Sequence, residues 1–204
     1  MNTVIHAAVR RDLARFGRAL DALPVGSRKR AAELDAAWRH LDGQLYHHHH
    51  GEETIFWPAL RELGADESLV GDLGGEHERM AEAMTRTRTA MSALAGDPSA
   101  ERLAEARAAC AALSDAVDSH FSHEERDLEP MMAHSIDTPQ LKKAQTAIRK
   151  TQTLPEAGGY LTWLLDDADP DARAFVTHEI PKPVVFVLTR LFGGSYNRVA
   201  AAWR

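Results

Sequence analysis

The run Tyr46-His47-His48-His49-His50-Gly51-Glu52-Glu53 constrains this chain more than any other stretch. It holds two His-xxx-Glu pairs, His48 with Glu52 and His49 with Glu53, each spanning one helical turn. The surrounding apolar residues fall at Leu34, Trp38, Leu41 and Leu45, followed by His48, Glu52, Ile55 and Ala59, in steps that alternate four and three. Such a series is the inward seam of a bundled helix, here with a histidine and a glutamate set into it. An ionised carboxylate on a core seam is strongly destabilising unless something pairs with it, and a metal ion is the strongest partner available. The pair is therefore a ligand pair or a serious fault in the core. His49 and Glu53 lie beside the seam, where they act as outer partners or, with the register shifted, as the ligand pair itself. His47 and His50 face solvent.

The same grammar returns elsewhere. A first helix capped by Thr3 carries the stripe His6, Val9, Leu13, Phe16, Leu20, Leu23 and ends at Pro24 and Gly26. The second opens at Ser27 and runs to about Leu63, with Pro58 as a kink or an early end. A third, from about Glu67 to Leu94, has the stripe Val70, Leu73, His77, Met80, Met84, Thr87, Met91, Leu94. A fourth starts at Ser99 with Leu103, Ala106, Cys110, Leu113, Val117, His120, Glu124. Helices joined by short turns pack up-down-up-down around a shared core. At about 1.5 Å per residue, counting from the turns brings His6, His48, Glu52, His77, His120 and Glu124 to one level within roughly 12 Å.

Bulk properties narrow the class. Ala, Leu, Arg and Glu are plentiful and β-branched residues sparse, so the fold expected is all-α. A formal net charge of -6 leaves no basic footprint for nucleic acid. The single cysteine, Cys110, excludes an intramolecular disulfide, fits a reducing cytoplasm and reads as a small core residue. The first eighteen residues lack the continuous apolar block of a secretory signal, and no run reaches the length of a membrane span. The bundle pattern stops after Pro130. Residues 1–134 are thus expected to form the four-helix bundle, and residues 135–204 a helical extension packed on it, with helices near 138–150 and 155–167 and further apolar segments to the end.

Four imidazoles and two carboxylates are too many for one tetrahedral zinc and suit two five- or six-coordinate ions bridged by the glutamates. Nitrogen and oxygen donors without thiolate favour iron, with manganese or zinc behind it. Two iron ions so held support an oxo or hydroxo bridge and a small ligand such as O2, hydrogen peroxide or nitric oxide. Ferritin-like sites use Glu-xx-His pairs instead.

The ordered series His6, His48-xxx-Glu52, His77, His120-xxx-Glu124 resembles the hemerythrin-like, or HHE cation-binding, family over about residues 1–134. The strings His48-His49-His50-Gly51-Glu52-Glu53, Glu76-His77 and His120-Phe121-Ser122-His123-Glu124-Glu125 look like that family's signatures. The resemblance implies a four-helix bundle and a non-haem di-iron centre. The oxygen carriers of the family have His-xxx-His on the third helix and end with His-xxxx-Asp, whereas the positions four either side of His77 are Leu73 and Ala81. One imidazole fewer implies a coordination position open to water, substrate or a side chain such as Tyr46. The expected function is peroxide or nitric oxide detoxification by a bacterial hemerythrin-like protein, with no catalytic residue assigned and a monomer or homodimer as the assembly. The alternative is an iron or oxygen sensor read through residues 135–204, and a third reading leaves the six residues as an unmetallated polar network. His123 and Glu125 read as capping or surface groups.

Overall fold

A computed structural model describes residues 2–203, which are helical almost throughout. Helix α1 spans Asn2–Asp21, α2 Arg28–Gly51, α3 Trp57–Glu62, α4 Glu67–Gly96 and α5 Ala100–His123. The helix starts follow their caps: Asp66 accepts from the Ser68 N–H at 2.8 Å, and Ser99 accepts from the Arg102 N–H at 3.4 Å. The α1–α2 turn needs a left-handed residue and has Gly26 at φ +86°. Its N–H donates to the Pro98 carbonyl at 2.8 Å, which ties that turn to the α4–α5 turn at one end of an up-down-up-down bundle.

Every stripe residue expected on α1, α4 and α5 is buried. On α2 the seam holds through Leu45 and Glu52 and then departs from expectation. Ile55 and Ala59 are only half-buried, and the core positions are Trp57 and Leu60. The cause is a π-helical turn over Glu52–Phe56, closed by the Trp57 N–H reaching back five residues to the Glu52 carbonyl. Pro58 has no N–H and crowds the carbonyl four residues back, so the turn before it widens and rotates the later stripe. A second π turn spans Glu124–Leu128, closed from Glu129 to Glu124, again six residues from the glutamate to a proline, Pro130. The fourth helical segment therefore does not stop at Pro130 but continues as α6, Glu129–Ser135.

These extensions explain why a site so near one end of the bundle is dry. The main apolar core includes Leu45, Met80, Val117 and Phe121 on one side of the histidine level. A smaller cluster of Trp57, Leu60, Val70, Leu73, Leu128 and Leu141 closes the other. Leu141 comes from α7, Pro139–Lys150, whose N-cap is Thr138.

Four more α-helices follow among the described residues, α8 Leu154–Leu165, α9 Pro170–Glu179, α10 Lys182–Phe192 and α11 Gly194–Ala200, with a short 3-10 turn at Ala201–Trp203. They share the main core through Trp163, Val176, Tyr196 and Ala200. A buried polar network stitches them to α1. Trp163 Nε1 donates to Asp12 at 2.8 Å, Arg15 donates to Asp12 at 3.1 Å and to Asp166 at 2.8 Å, and the Tyr196 hydroxyl donates to Asp166 at 2.8 Å. Among the described residues, no helix is long and apolar enough to cross a membrane.

Candidate metal centre

All six residues expected at one level meet there. His6 Nε2 lies 3.2 Å from His48 Nε2, and His77 Nε2 lies 3.0 Å from His120 Nε2, so the imidazoles form two pairs. The carboxylates run between the pairs. Glu52 turns Oε1 toward His48 at 3.5 Å and Oε2 toward His77 at 3.6 Å. Glu124 Oε2 lies 3.4 Å from His6 and 3.7 Å from His120. Each glutamate lies one α-helical turn after its histidine, with its N–H bonded back to that histidine's carbonyl, and the π turns begin at these two glutamates.

Three of the four outward nitrogens are held by carboxylates. His6 Nδ1 meets Glu125 at 2.9 Å, His77 Nδ1 meets Glu53 at 2.8 Å, and His120 Nδ1 meets Glu76 at 2.9 Å. A neutral imidazole has one N–H, and a carboxylate partner places it on Nδ1, leaving Nε2 as a bare lone pair directed inward. Arg10 donates to Glu125 at 2.6 Å and to Asp118 at 2.8 Å, fixing one carboxylate in turn. Aromatic faces hold the rings themselves: Phe121 stacks on His6 at 3.7 Å and Trp57 on His77 at 4.6 Å.

This arrangement is unbalanced without a cation. Burial lowers the His6 pKa to about 3 and that of His120 to about 4, and puts His48 well below the ordinary value, so these rings are neutral at pH 7. His77 is also lowered by burial, against the pull of Glu53. The His77 and His120 lone pairs then face each other with no proton between them. Burial pushes Glu124 up to about 8 and Glu52 well above the carboxylate range, with the Glu124 charge adding to the latter. Glu52 Oε2 and both Glu124 oxygens are buried without a hydrogen-bond partner, and only Glu52 Oε1 is served, by the Asn2 amide at 2.9 Å. Inward lone pairs and orphaned carboxylate oxygens are the donor set that divalent or trivalent cations satisfy.

The donors fall into two groups, each with all its ligand atoms within 4.8 Å of one another: His6, His48, Glu52 and Glu124, and His49, Glu52, His77 and His120. Glu52 belongs to both.

The family model for the hemerythrin HHE cation binding domain matches residues 3–132 and again 75–153. The chain belongs to the hemerythrin HHE family. It is a metal-binding protein, and its histidine and glutamate cluster suits that family's cation. No match was found among curated proteins or among solved structures. The second family match begins just before His77, and the hemerythrin bundle is internally two-fold: His6, His48, Glu52, Glu53 and Pro58 recur as His77, His120, Glu124, Glu125 and Pro130.

Several residues of the hemerythrin centre escape a seam-based reading. Glu125 and His123 are not mere surface groups, since Glu125 holds His6 and His123 Nδ1 meets Glu76 at 2.9 Å. Glu53 does act as an outer partner, but of His77 rather than of its own helix. The repeated Glu-Glu doublets were the available signal. Tyr46 is not an extra ligand, being exposed and stacked on His50 at 5.5 Å. His49, expected beside the seam, is buried with Nε2 unpartnered.

Proposed function

We propose that the protein would hold two iron ions, one at each histidine pair, through His6, His48, Glu52, His77, His120 and Glu124, with Glu52 common to the two donor groups. Residues 1–134 would then be the metal-holding bundle and residues 135–204 its helical extension, in a cytoplasmic protein whose lone Cys110 stays buried and reduced. The observation that carries this reading is Glu52, whose two oxygens face different histidine pairs at 3.5 and 3.6 Å. A single ion would leave one oxygen and one lone-pair contact unserved.

Such a pair of ions supplies a redox-active, Lewis-acidic place for O2, hydrogen peroxide or nitric oxide. The protein's own part is to keep that place dry, between the main core and the Trp57–Leu141 cluster, and to hold the protons of His6, His77 and His120 on Nδ1. We assign it to peroxide or nitric oxide detoxification. In the peroxide case one molecule is oxidised to O2 while a second is reduced to water, so no external reductant enters. The test is elemental analysis and an absorption spectrum of iron-loaded protein, followed by peroxide and nitric oxide assays. Two irons per chain with oxygen evolution from peroxide, or with nitric oxide consumption, supports the assignment. Two irons with neither activity removes it.

A sensor reading draws on one contact. A Cβ on Gly51, the residue before Glu52, would lie 2.9 Å from Ile148 Cδ1 of α7. Helix α7 thus rests directly on the backbone that aims a ligand. Metal-dependent proteolysis within residues 135–204 favours sensing, and identical cleavage with and without iron speaks against it.

A further inference from the structure

We propose that His49 is a seventh ligand: a third imidazole for the ion between His77 and His120, which makes the two ions chemically unequal. The inference rests on the two-ion reading above and adds a residue to it.

His49 is 8% exposed, and its Nε2 has no hydrogen-bond partner. Its ligand nitrogen lies within 4.8 Å of those of His77 and His120 and of a Glu52 oxygen. The ring centroid is 4.3 Å from that of His77 and 5.6 Å from that of His120. A buried imidazole nitrogen without a partner destabilises a fold, so an aromatic hydrocarbon would serve better there if packing were the only task.

The other half of the bundle shows what such a packing residue looks like. The position after His120 is Phe121, as His49 is the position after His48. Phe121 stacks on His6 at 3.7 Å, and His49 lies against His77 in the corresponding place. One half has a ring that only covers; the other has a ring of similar shape with a nitrogen directed into the site. The donor sets that result are His49, His77, His120 and Glu52 for one ion and His6, His48, Glu52 and Glu124 for the other. Imidazole suits zinc and iron whereas carboxylate suits magnesium, calcium and manganese, so the three-imidazole site is expected to fill first with either test metal.

The test titrates metal-free protein with zinc and with ferrous iron against a chromophoric chelator, and records Mössbauer spectra of the iron-loaded form. The variants are His49→Phe, which copies Phe121, and His49→Ala with added imidazole; His47→Ala is the surface control. Expected are two resolved binding steps for wild type and His47→Ala. In His49→Phe the tighter step weakens by about 10- to 100-fold or more, and one Mössbauer doublet changes. Added imidazole restores that step in His49→Ala but not in His49→Phe. If His49→Phe does not fold, the imidazole dependence of His49→Ala decides alone. Unchanged binding and spectra in folded His49→Phe, or no imidazole response in His49→Ala, overturn this proposal and leave the six-ligand reading standing. Wild type that binds fewer than two ions overturns both.

Discussion

His77 and His120 meet through their Nε2 atoms at 3.0 Å while each has its Nδ1 committed to a carboxylate, Glu53 and Glu76 respectively. Two lone pairs held face to face in a dry core store a binding site, because a cation between them relieves the repulsion and the outer carboxylates prevent the rings from turning away.

The outer carboxylates should therefore matter for metal affinity. Glu53→Ala and Glu125→Ala each free one ring's Nδ1, and each is expected to weaken metal binding by about 10- to 100-fold. Chelator competition measures this, with Glu62→Ala, on an exposed residue of α3, expected to behave as wild type.

Metal uptake should release protons from the carboxylates and not from the imidazoles. Near pH 7 Glu124, at about 8, is protonated in the metal-free fold and burial shifts Glu52 in the same direction, while His6 and His120 are already neutral. Metal binding at pH 7 should release protons, and the number should fall as pH rises through the Glu124 value. Calorimetry in buffers of differing ionisation enthalpy counts them.

Metal-free stability should peak near pH 6.5. Glu124 is raised from 4.5 to about 8, so its contribution is complete below 4.5 and is lost as pH climbs through about 8. His6 and His120 are depressed from 6.5 to about 3 and about 4, so theirs is complete above 6.5 and is lost as pH falls through those values. Glu124→Gln, which imitates the protonated carboxyl, should flatten the alkaline arm of a melting-temperature profile while reducing metal affinity.

Asp12 should be a large contributor to the attachment of the C-terminal helices. It is fully buried, accepts from Trp163 Nε1 and takes an ion pair from Arg15. Asp12→Ala leaves Arg15 with one fewer partner and Trp163 with an unmet N–H, at a cost of about 3 to 5 kcal/mol. Denaturant melts give the loss, and cleavage within α8 to α11 should accelerate more than cleavage within α4.

Gly158 allows α8 to lie directly on α10. A Cβ there would be 2.6 Å from the Leu188 carbonyl oxygen and 2.6 Å from Phe192 Cβ, so the helices must separate to admit it. Gly158→Ala should cost about 1 to 3 kcal/mol despite its better helix propensity, whereas Gly43→Ala, with nothing nearby, should be neutral or stabilising. Thermal melts distinguish the two.

The stripes of α1, α4 and α5 were legible because each repeats over four or more helical turns, which leaves little freedom in phase. The failure at Ile55 and Ala59 has a local cause, a widened turn ahead of Pro58 that a steady 3.6-residue period does not contain. His49 was harder to place for a related reason. It sits one residue off the seam, about 100° around the helix, where burial depends on what the neighbouring helix puts opposite, here His77. Residues 135–204 showed apolar runs and prolines but not their partners. Trp163 finds Asp12 across 151 positions of sequence.

From the amino-acid order alone came the donor types, their helical phase and their common level, because side-chain direction along a regular helix follows from spacing. Tertiary structure decided which nitrogen of His6, His77 and His120 looks inward. That choice belongs to whoever holds the other nitrogen, and the holders come from elsewhere in the chain: Glu53 is 24 residues from His77, Glu76 is 44 from His120, and Glu125 is 119 from His6. No spacing rule reaches across helices. Only packing brings the carboxylate to the ring and so leaves the other nitrogen of a buried histidine facing inward.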